Sequence, residues 1–230
     1  EYLTSDLAQV LKYKGKTNAD FTALMLNCAR SASAFALAEE PLTVLDPLCG
    51  RGTTPFCALV AGDNAIGLAA DDKAIHEADT YLERYLQYHR LKHRREQRSI
   101  TLRGGGALRE TRFTLANDTQ HYKQGRTITC RWIHGDTAVA DEAVGQGGCH
   151  LVVGDLPYGV QHAPRNGQGT GSLIGLLQRA LPAYRRALAV GGALALSFNT
   201  YTLPRADVAR AMRDAGLIPM ESAPFNDFAH

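Results

Sequence analysis

The chain has 230 residues, 45% hydrophobic and 21% charged, which is ordinary for a globular protein long enough to bury one sizeable core. The formal net charge of +2 excludes a strongly basic protein, so any surface for nucleic acid has to be local. No apolar run reaches the length of about 18 residues that a transmembrane helix requires, and we expect no membrane association.

Hydrophobic spacing then predicts the elements in chain order. They are a helix at Asp20–Ala38, a strand at Thr43–Leu45, a helix at Thr53–Val60, a strand at Ala65–Ala69, a helix at Lys73–His93, two strand-like runs at Thr111–Leu115 and Thr127–Ile133, a strand at Cys149–Gly154, a helix at Leu173–Leu188, a strand at Gly192–Phe198 and a helix at Ala206–Ala215. The alternation of helices with nearly continuous apolar strands predicts an α/β fold with a mostly parallel sheet and helices on both of its faces.

Residues 97–129 interrupt this alternation. The two strand-like runs lie within or next to this segment, with a polar turn at Asn117–Gln120 between them. We therefore expect a β-hairpin insertion in one domain that spans residues 1–230. Trp132 lies in the second run, and we expect it in the core or packed on the sheet.

The cysteines are odd in number and form no C-x-x-C pair, which favours reduced thiols and a cytoplasmic location. His89 and His93 are four residues apart in a basic run, without an acid or cysteine to complete a zinc site. We expect no metal.

A Gly-rich turn follows the first predicted strand. Asp46 and Pro47 lead into Cys49, Gly50 and Gly52, and the next predicted helix begins at Thr53. Glycines let a backbone bend tightly and approach a ligand, and ligands of open α/β sheets bind at the carboxyl ends of strands. Gly-Lys-Ser/Thr is absent and position 55 is proline, so this turn is neither a P-loop nor a dinucleotide fingerprint.

A second loop follows the strand at Cys149–Gly154. It consists of Asp155, Leu156, Pro157 and Tyr158. The carboxylate can accept an N–H, the stiff turn can aim backbone carbonyls, and the tyrosine ring can stack on a base. The two loops together predict a cofactor site beside a base site.

The stretches Asp46–Thr53 and Asp155–Tyr158 together resemble the amino-methyltransferases, which use S-adenosylmethionine to methylate exocyclic amines of nucleobases. The order of the two motifs matches the unpermuted arrangement of that class, and the likeness covers about Thr43–Ala215. Leu156 and Gly159 are most similar to the guanine-N2 methyltransferases of tRNA and rRNA. The resemblance implies a Rossmann-like methyltransferase fold, in which a final antiparallel pair of strands is usual. We expect Phe225–His230 to form only the beginning of the last strand and the native chain to be longer.

The resemblance also implies roles for individual residues. Asp46 and the backbone of Gly50 and Gly52 would hold the amino-acid moiety of S-adenosylmethionine, and Asp136 with Thr137 would meet the adenine. An acid usually closes the second strand to hold the ribose; Ala69 stands there, and Asp71 is the substitute. The segment Tyr13–Thr17 would line the cofactor pocket. Asp155 would accept the hydrogen bond of the target amine while Tyr158 stacks on the base.

A dense basic run includes Arg94 and Arg95 near the end of the predicted helix at Lys73–His93. It is either a phosphate-binding surface or a solvated face, and His162 is a further candidate for substrate contact. We expect methylation of guanine N2 in tRNA or rRNA. The alternatives are a DNA adenine-N6 or cytosine-N4 methyltransferase, an enzyme for a small base-like metabolite, and a non-catalytic protein that binds S-adenosylmethionine or RNA.

Overall fold

The computed structural model describes residues 2–11, 16–157 and 173–225. Its elements in chain order are α1 (Asp6–Gln9), α2 (Ala19–Ala32), β1 (Thr43–Asp46), α3 (Thr53–Ala61), β2 (Asn64–Ala69), α4 (Asp72–Tyr88), β3 (His93–Thr101), β4 (Ala107–Leu115), α5 (Thr119–Lys123), β5 (Ile128–His134), a short 3-10 turn (Thr137–Val139), α6 (Ala140–Val144), β6 (Cys149–Asp155), α7 (Leu173–Ala187), β7 (Leu188–Ser197) and α8 (Arg205–Asp214).

The described residues form one seven-stranded sheet, with the strand order β3-β4-β5-β2-β1-β6-β7. The five strands from β5 to β7 are parallel, whereas β4 runs antiparallel to both β3 and β5. Strands β1 and β2 are buried along nearly their whole length, as expected for parallel strands covered on both faces. The predicted α/β fold with a mostly parallel sheet is confirmed.

Helices cover both faces of this sheet. One core lies between the sheet and α1 to α4 and includes Phe56, Phe113 and Trp132. The other core lies between the sheet and α6 to α8 and includes Ile133 and Tyr184. Trp132 and Ile133 are neighbours on β5 and enter opposite cores because successive side chains of a strand point to opposite faces. The prediction that Trp132 is a core residue is confirmed.

Two helices end five or six residues earlier than the spacing predicts. Helix α2 ends at Ala32 instead of Ala38, because the backbone of Ser33 is extended. Helix α4 ends at Tyr88 instead of His93, because Arg90 adopts a positive φ and the N–H of Leu91 bonds back to the carbonyl of Leu86. The basic run beyond Tyr88 is therefore not a helix end, and Arg94 and Arg95 lie on a strand.

The two predicted runs are both strands and pair antiparallel with each other, but the sequence did not predict β3. The run Thr111–Leu115 belongs to β4, and its hairpin partner is β3, which pairs with it from His93↔Leu115 to Thr101↔Ala107. The glycines at 105 and 106 have positive φ and close the connecting turn. The run Thr127–Ile133 belongs to β5, a core strand that pairs antiparallel with β4 and parallel with β2. Within the described parts of the chain, no helix is long and apolar enough to cross a bilayer.

Candidate active site

Asp46 ends β1 and is almost fully buried, with 4% of its surface exposed. One carboxylate oxygen accepts the N–H of Leu48 at 3.0 Å, which holds the side chain over its own turn. Burial raises the pKa of Asp46 to about 7, and the nearby carboxylate of Asp155 adds to the rise, while hydrogen bonds from Leu48 and Thr54 oppose it. The site therefore contains an acid that can gain or lose a proton near neutral pH.

The glycine turn lies against the indole of Trp132. Gly52 has a φ of 91°, and a Cβ atom there would come within 2.5 Å of Trp132 Cη2. A Cβ atom on Gly67 in β2 would come within 2.8 Å of the same ring and 2.9 Å of Cys49 Sγ. The absence of side chains at the two glycines thus leaves the space that the indole fills, and the turn packs directly on the ring.

Gly50 lies on the open side of the turn. Its φ is 49°, and a Cβ atom there would meet nothing within 4 Å. Helix α3 begins at Thr53 directly after the turn, and the carbonyl of Gly52 accepts its first helical bond from Phe56. The amino end of a helix carries partial positive charge, so this end can receive a carboxylate.

Asp155 ends β6, the strand that pairs with β1. Thr17 Oγ1 donates a hydrogen bond to one carboxylate oxygen at 2.6 Å, and Ser197 Oγ donates to the other. Ser197 ends β7 in direct register with Asp155, and its carbonyl accepts the N–H of Leu156 at 2.9 Å. Three segments of the chain therefore fix the orientation of this carboxylate.

The remaining members of the predicted catalytic loop divide into two groups. Leu156 is buried and Pro157 is half-buried, so the start of the turn is anchored in the core on the side of α7. Tyr158 and His162 lie outside the described residues, and their roles stay predictions.

Asp46 and Asp155 lie close together. They end adjacent parallel strands, and a Cβ atom on Gly154 would stand 3.6 Å from Asp46 Oδ1. The charge of Asp155 is also among the causes that raise the pKa of Asp46. The two loops that the sequence predicts to bind cofactor and base therefore lie side by side.

The two other predicted cofactor acids flank this site at the ends of β2 and β5. Asp71 is exposed and caps α4 by accepting the N–H of Lys73 at 3.0 Å. Asp136 is exposed and accepts the N–H of Ala138 at 2.7 Å. Thr137 is buried, and its hydroxyl contacts the hydroxyl of Tyr184 at 2.5 Å. All of these residues lie at the carboxyl edge of the parallel strands.

Arg94 and Arg95 are not part of this cluster. They lie on β3, at the far edge of the sheet from β6. Arg95 forms an ion pair at 2.6 Å with Asp79 of α4, and this carboxylate raises the pKa of the guanidinium. Arg95 therefore holds the hairpin to the helix layer.

Sequence reasoning missed Ser197 as a site residue and included Thr17 only as the end of the segment Tyr13–Thr17. The signal for Ser197 was its position near the end of a predicted parallel strand, where site residues collect. Thr17 also lines a hollow of about 450 Å³ formed by Gln9 and residues 16–20. A larger hollow of about 570 Å³ lies along α8 and contains no residue of the strand-end loops, so we assign it no part in the site.

Comparison with known proteins gives the fold a reference. No sequence-family model matches the chain, and no curated protein sequence matches it. Among solved structures, it is similar to a TehB-like SAM-dependent methyltransferase from Corynebacterium glutamicum, with 14% identity and a TM-score of 0.50 over 96% of this chain and 88% of that one. It is also similar to a SAM-dependent methyltransferase from Agrobacterium tumefaciens, with 18% identity and a TM-score of 0.50 over 88% of this chain. The chain spans about half (52%) of the latter protein. The fold is thus the Rossmann-like fold found in these methyltransferases.

Proposed function

We propose that this protein is a methyltransferase that uses S-adenosylmethionine and transfers the methyl group to an exocyclic amine of a nucleobase. The observation that carries the proposal is the placement of Asp46, in a glycine turn, beside Asp155, in an Asp-Leu-Pro turn, at adjacent strand ends. The fold, shared with known methyltransferases, supports the same reaction class.

The residues at the glycine turn fit the cofactor. Gly50 leaves open space on the outer side of the turn, and the amino end of α3 offers positive charge to the cofactor carboxylate. Asp46 would bind the ammonium group, and Asp71 and Asp136 would bind the ribose and adenine. When bound, S-adenosylmethionine supplies an electrophilic methyl group on a sulfonium ion.

Asp155 would position the amine. The hydroxyls of Thr17 and Ser197 bind one carboxylate oxygen each. The carboxylate would accept an N–H of the target, which would orient the nitrogen lone pair and offset the positive charge that develops on nitrogen. The two hydroxyls would hold the Asp155 carboxylate in one orientation while the target binds and reacts.

The finer assignment is guanine N2 in tRNA or rRNA. It is supported by the sequence Leu156-Pro157-Tyr158-Gly159, which is most like that enzyme class. In a duplex the target base has to be flipped out, and stacking on Tyr158 would contribute about 1–3 kcal/mol. DNA adenine-N6 or cytosine-N4 and a small base-like metabolite are the other amine targets that the same turn could hold.

One observation favours a second function, that of a non-catalytic binding protein. Ala69 is buried at the end of β2, where the related enzymes place their ribose-binding acid, and Asp71 already caps α4. Weak cofactor binding is the expected property of such a protein, and catalysis by Asp155 distinguishes the two functions.

Calorimetric titration with S-adenosylmethionine and S-adenosylhomocysteine tests the cofactor site. Transfer of tritiated methyl groups to unmodified tRNA, rRNA and DNA then tests the reaction. Asp155→Asn should retain cofactor affinity and lower transfer about 10²–10³-fold, since one preorganised group at the reacting centre is lost. Asp207→Asn, which changes a partly exposed acid on α8, is the matched control and should change neither property. An absence of binding at millimolar cofactor would contradict the proposal, and binding without any transfer would favour the non-catalytic protein.

A further inference from the structure

The β3–β4 hairpin has two chemically different faces. Because side chains alternate along a strand, Arg95 points to the α4 layer while Arg94 and Arg98 point to the opposite face. On the α4 side, acids of the helix neutralise the arginines, with Asp79 bound to Arg95 and Asp72 bound to Arg109.

The opposite face forms a grid of charges across three strands. Strand register places Glu96 beside Arg112 and Arg112 beside Arg131, and it places Arg98 beside Glu110. We call this grid the arginine face, and its members are Arg94, Glu96, Arg98, Glu110, Arg112 and Arg131.

Each glutamate of the arginine face is shared by two arginines. Glu96 binds Arg94 at 3.4 Å and Arg98 at 3.1 Å. Glu110 binds Arg112 at 2.9 Å and Arg131 at 2.8 Å. Burial alone would raise the pKa of Glu110, but the hydrogen bonds and charges of Arg131 and Arg112 outweigh it and keep this pKa below its ordinary value. Glu110 is thus ionised at neutral pH, and the formal charges of four arginines and two glutamates leave an excess of two positive charges.

Two of the arginines are the most exposed members of this face. The side chains of Arg94 and Arg98 are 62% and 46% exposed, whereas those of Glu96 and Glu110 are 32% and 3% exposed. A ligand that approaches this face therefore meets these two guanidinium groups first. Guanidinium groups present paired N–H donors that match the oxygens of a phosphate.

We propose that the arginine face binds the phosphodiester backbone of a polynucleotide whose base is presented to Asp155. The identity of the target base in this inference rests on the proposed function. The phosphate contact rests only on the charges of the arginine face. Five strand spacings separate β3 from β6, which is about 24 Å across the sheet. A nucleoside cannot span that distance, whereas about seven nucleotides of a stacked strand can, at about 3.4 Å each.

The test is a salt series of fluorescence anisotropy titrations between about 50 and 200 mM salt. The probes are a fluorescein-labelled mixed-sequence RNA of about 20 nucleotides and a duplex DNA of the same sequence. Arg94→Gln/Arg98→Gln should reduce the slope of log affinity against log salt by about 1.4 on the single strand or about 1.8 on the duplex, because two phosphate contacts are lost. A larger affinity for one probe assigns the backbone as RNA or as DNA.

The matched control is Arg210→Gln/Arg213→Gln on α8. These two arginines are also exposed and also bind acids, Asp207 and Glu221, so the change in net charge is the same. Any of three results would overturn the inference. The two double variants could lose equal affinity, the salt slope of Arg94→Gln/Arg98→Gln could be unchanged, or the natural protein could bind neither probe.

Cofactor titration of the same proteins separates this inference from the proposed function. The arginine face is distant from the glycine turn, so Arg94→Gln/Arg98→Gln should bind S-adenosylmethionine as the natural protein does, which also checks its folding. Probe binding without cofactor binding would leave the arginine face intact as a proposal and remove the enzymatic one.

Discussion

Replacing Gly52 by alanine tests whether the glycine turn rests on the indole. The new methyl group would lie 2.5 Å from Trp132 Cη2, 2.9 Å from Trp132 Cζ3 and 3.3 Å from Phe56 Cε2. The indole cannot move outward, because Trp132 is fully buried and packs edge-on against Phe56 at 5.5 Å between ring centres. The substitution has to displace the turn or the ring.

The magnitude follows from two costs. A residue with a side chain in the left-handed region costs about 1–2 kcal/mol, and overpacking a well-filled core costs about 1–3 kcal/mol. Gly52→Ala should therefore lower the free energy of unfolding by about 2–5 kcal/mol. Gly50 also has a positive φ, but a Cβ atom there meets nothing within 4 Å, so Gly50→Ala should cost only about 1–2 kcal/mol.

Urea unfolding followed by far-ultraviolet circular dichroism measures both free energies. The double variant Gly52→Ala/Trp132→Phe adds a second check, because a phenylalanine ring does not extend as far as the outer indole ring. The double variant should recover part of the free energy of unfolding that Gly52→Ala loses. Equal losses for Gly50→Ala and Gly52→Ala, with no recovery in the double variant, would refute the packing of the turn on Trp132.

Two further predictions concern the acids of the site. Burial raises the pKa of Asp46 from 3.8 to about 7, so between these values the folded protein holds a proton that the unfolded chain has released. The free energy of unfolding should then fall as pH rises from about 4 to 7, by at most about 1.4 kcal/mol per pH unit. Urea unfolding of Asp46→Asn should lack this part of the slope, and identical slopes in both proteins would contradict the raised pKa. Thr17→Val removes the hydroxyl that orients Asp155 and should lower kcat about tenfold with unchanged cofactor affinity. Thr17→Ser should restore the rate; if it does not, Thr17 acts through packing alone.

The two strand-end turns could be predicted because short stretches of sequence determine them. The turns at Asp46–Thr53 and Asp155–Pro157 each follow a buried apolar strand, and parallel strands bring their carboxyl ends to one edge. The sequence therefore predicts that the two loops lie side by side, as Asp46 and Asp155 do.

Strand β3 of the β3–β4 hairpin could not be predicted from a local pattern. Strand β3 is polar on both faces, so the alternation that normally indicates a strand is absent from His93–Thr101. The hydrogen bonds from Thr17 and Ser197 to Asp155 were also missed, because they depend on contacts across 138 and 42 residues of chain. Local patterns carry no information about such pairs.

Strand β3 also leaves one side of its backbone unpaired in the described sheet. An open strand edge of nine residues is a template on which another strand can add, and proteins commonly block such templates with charged side chains. The basic sequence of β3 therefore has a second consequence, which is protection against intermolecular sheet growth. Hydrophobic replacements on this strand should promote aggregation even if the fold is unchanged, which makes glutamine the safer substitution at Arg94 and Arg98.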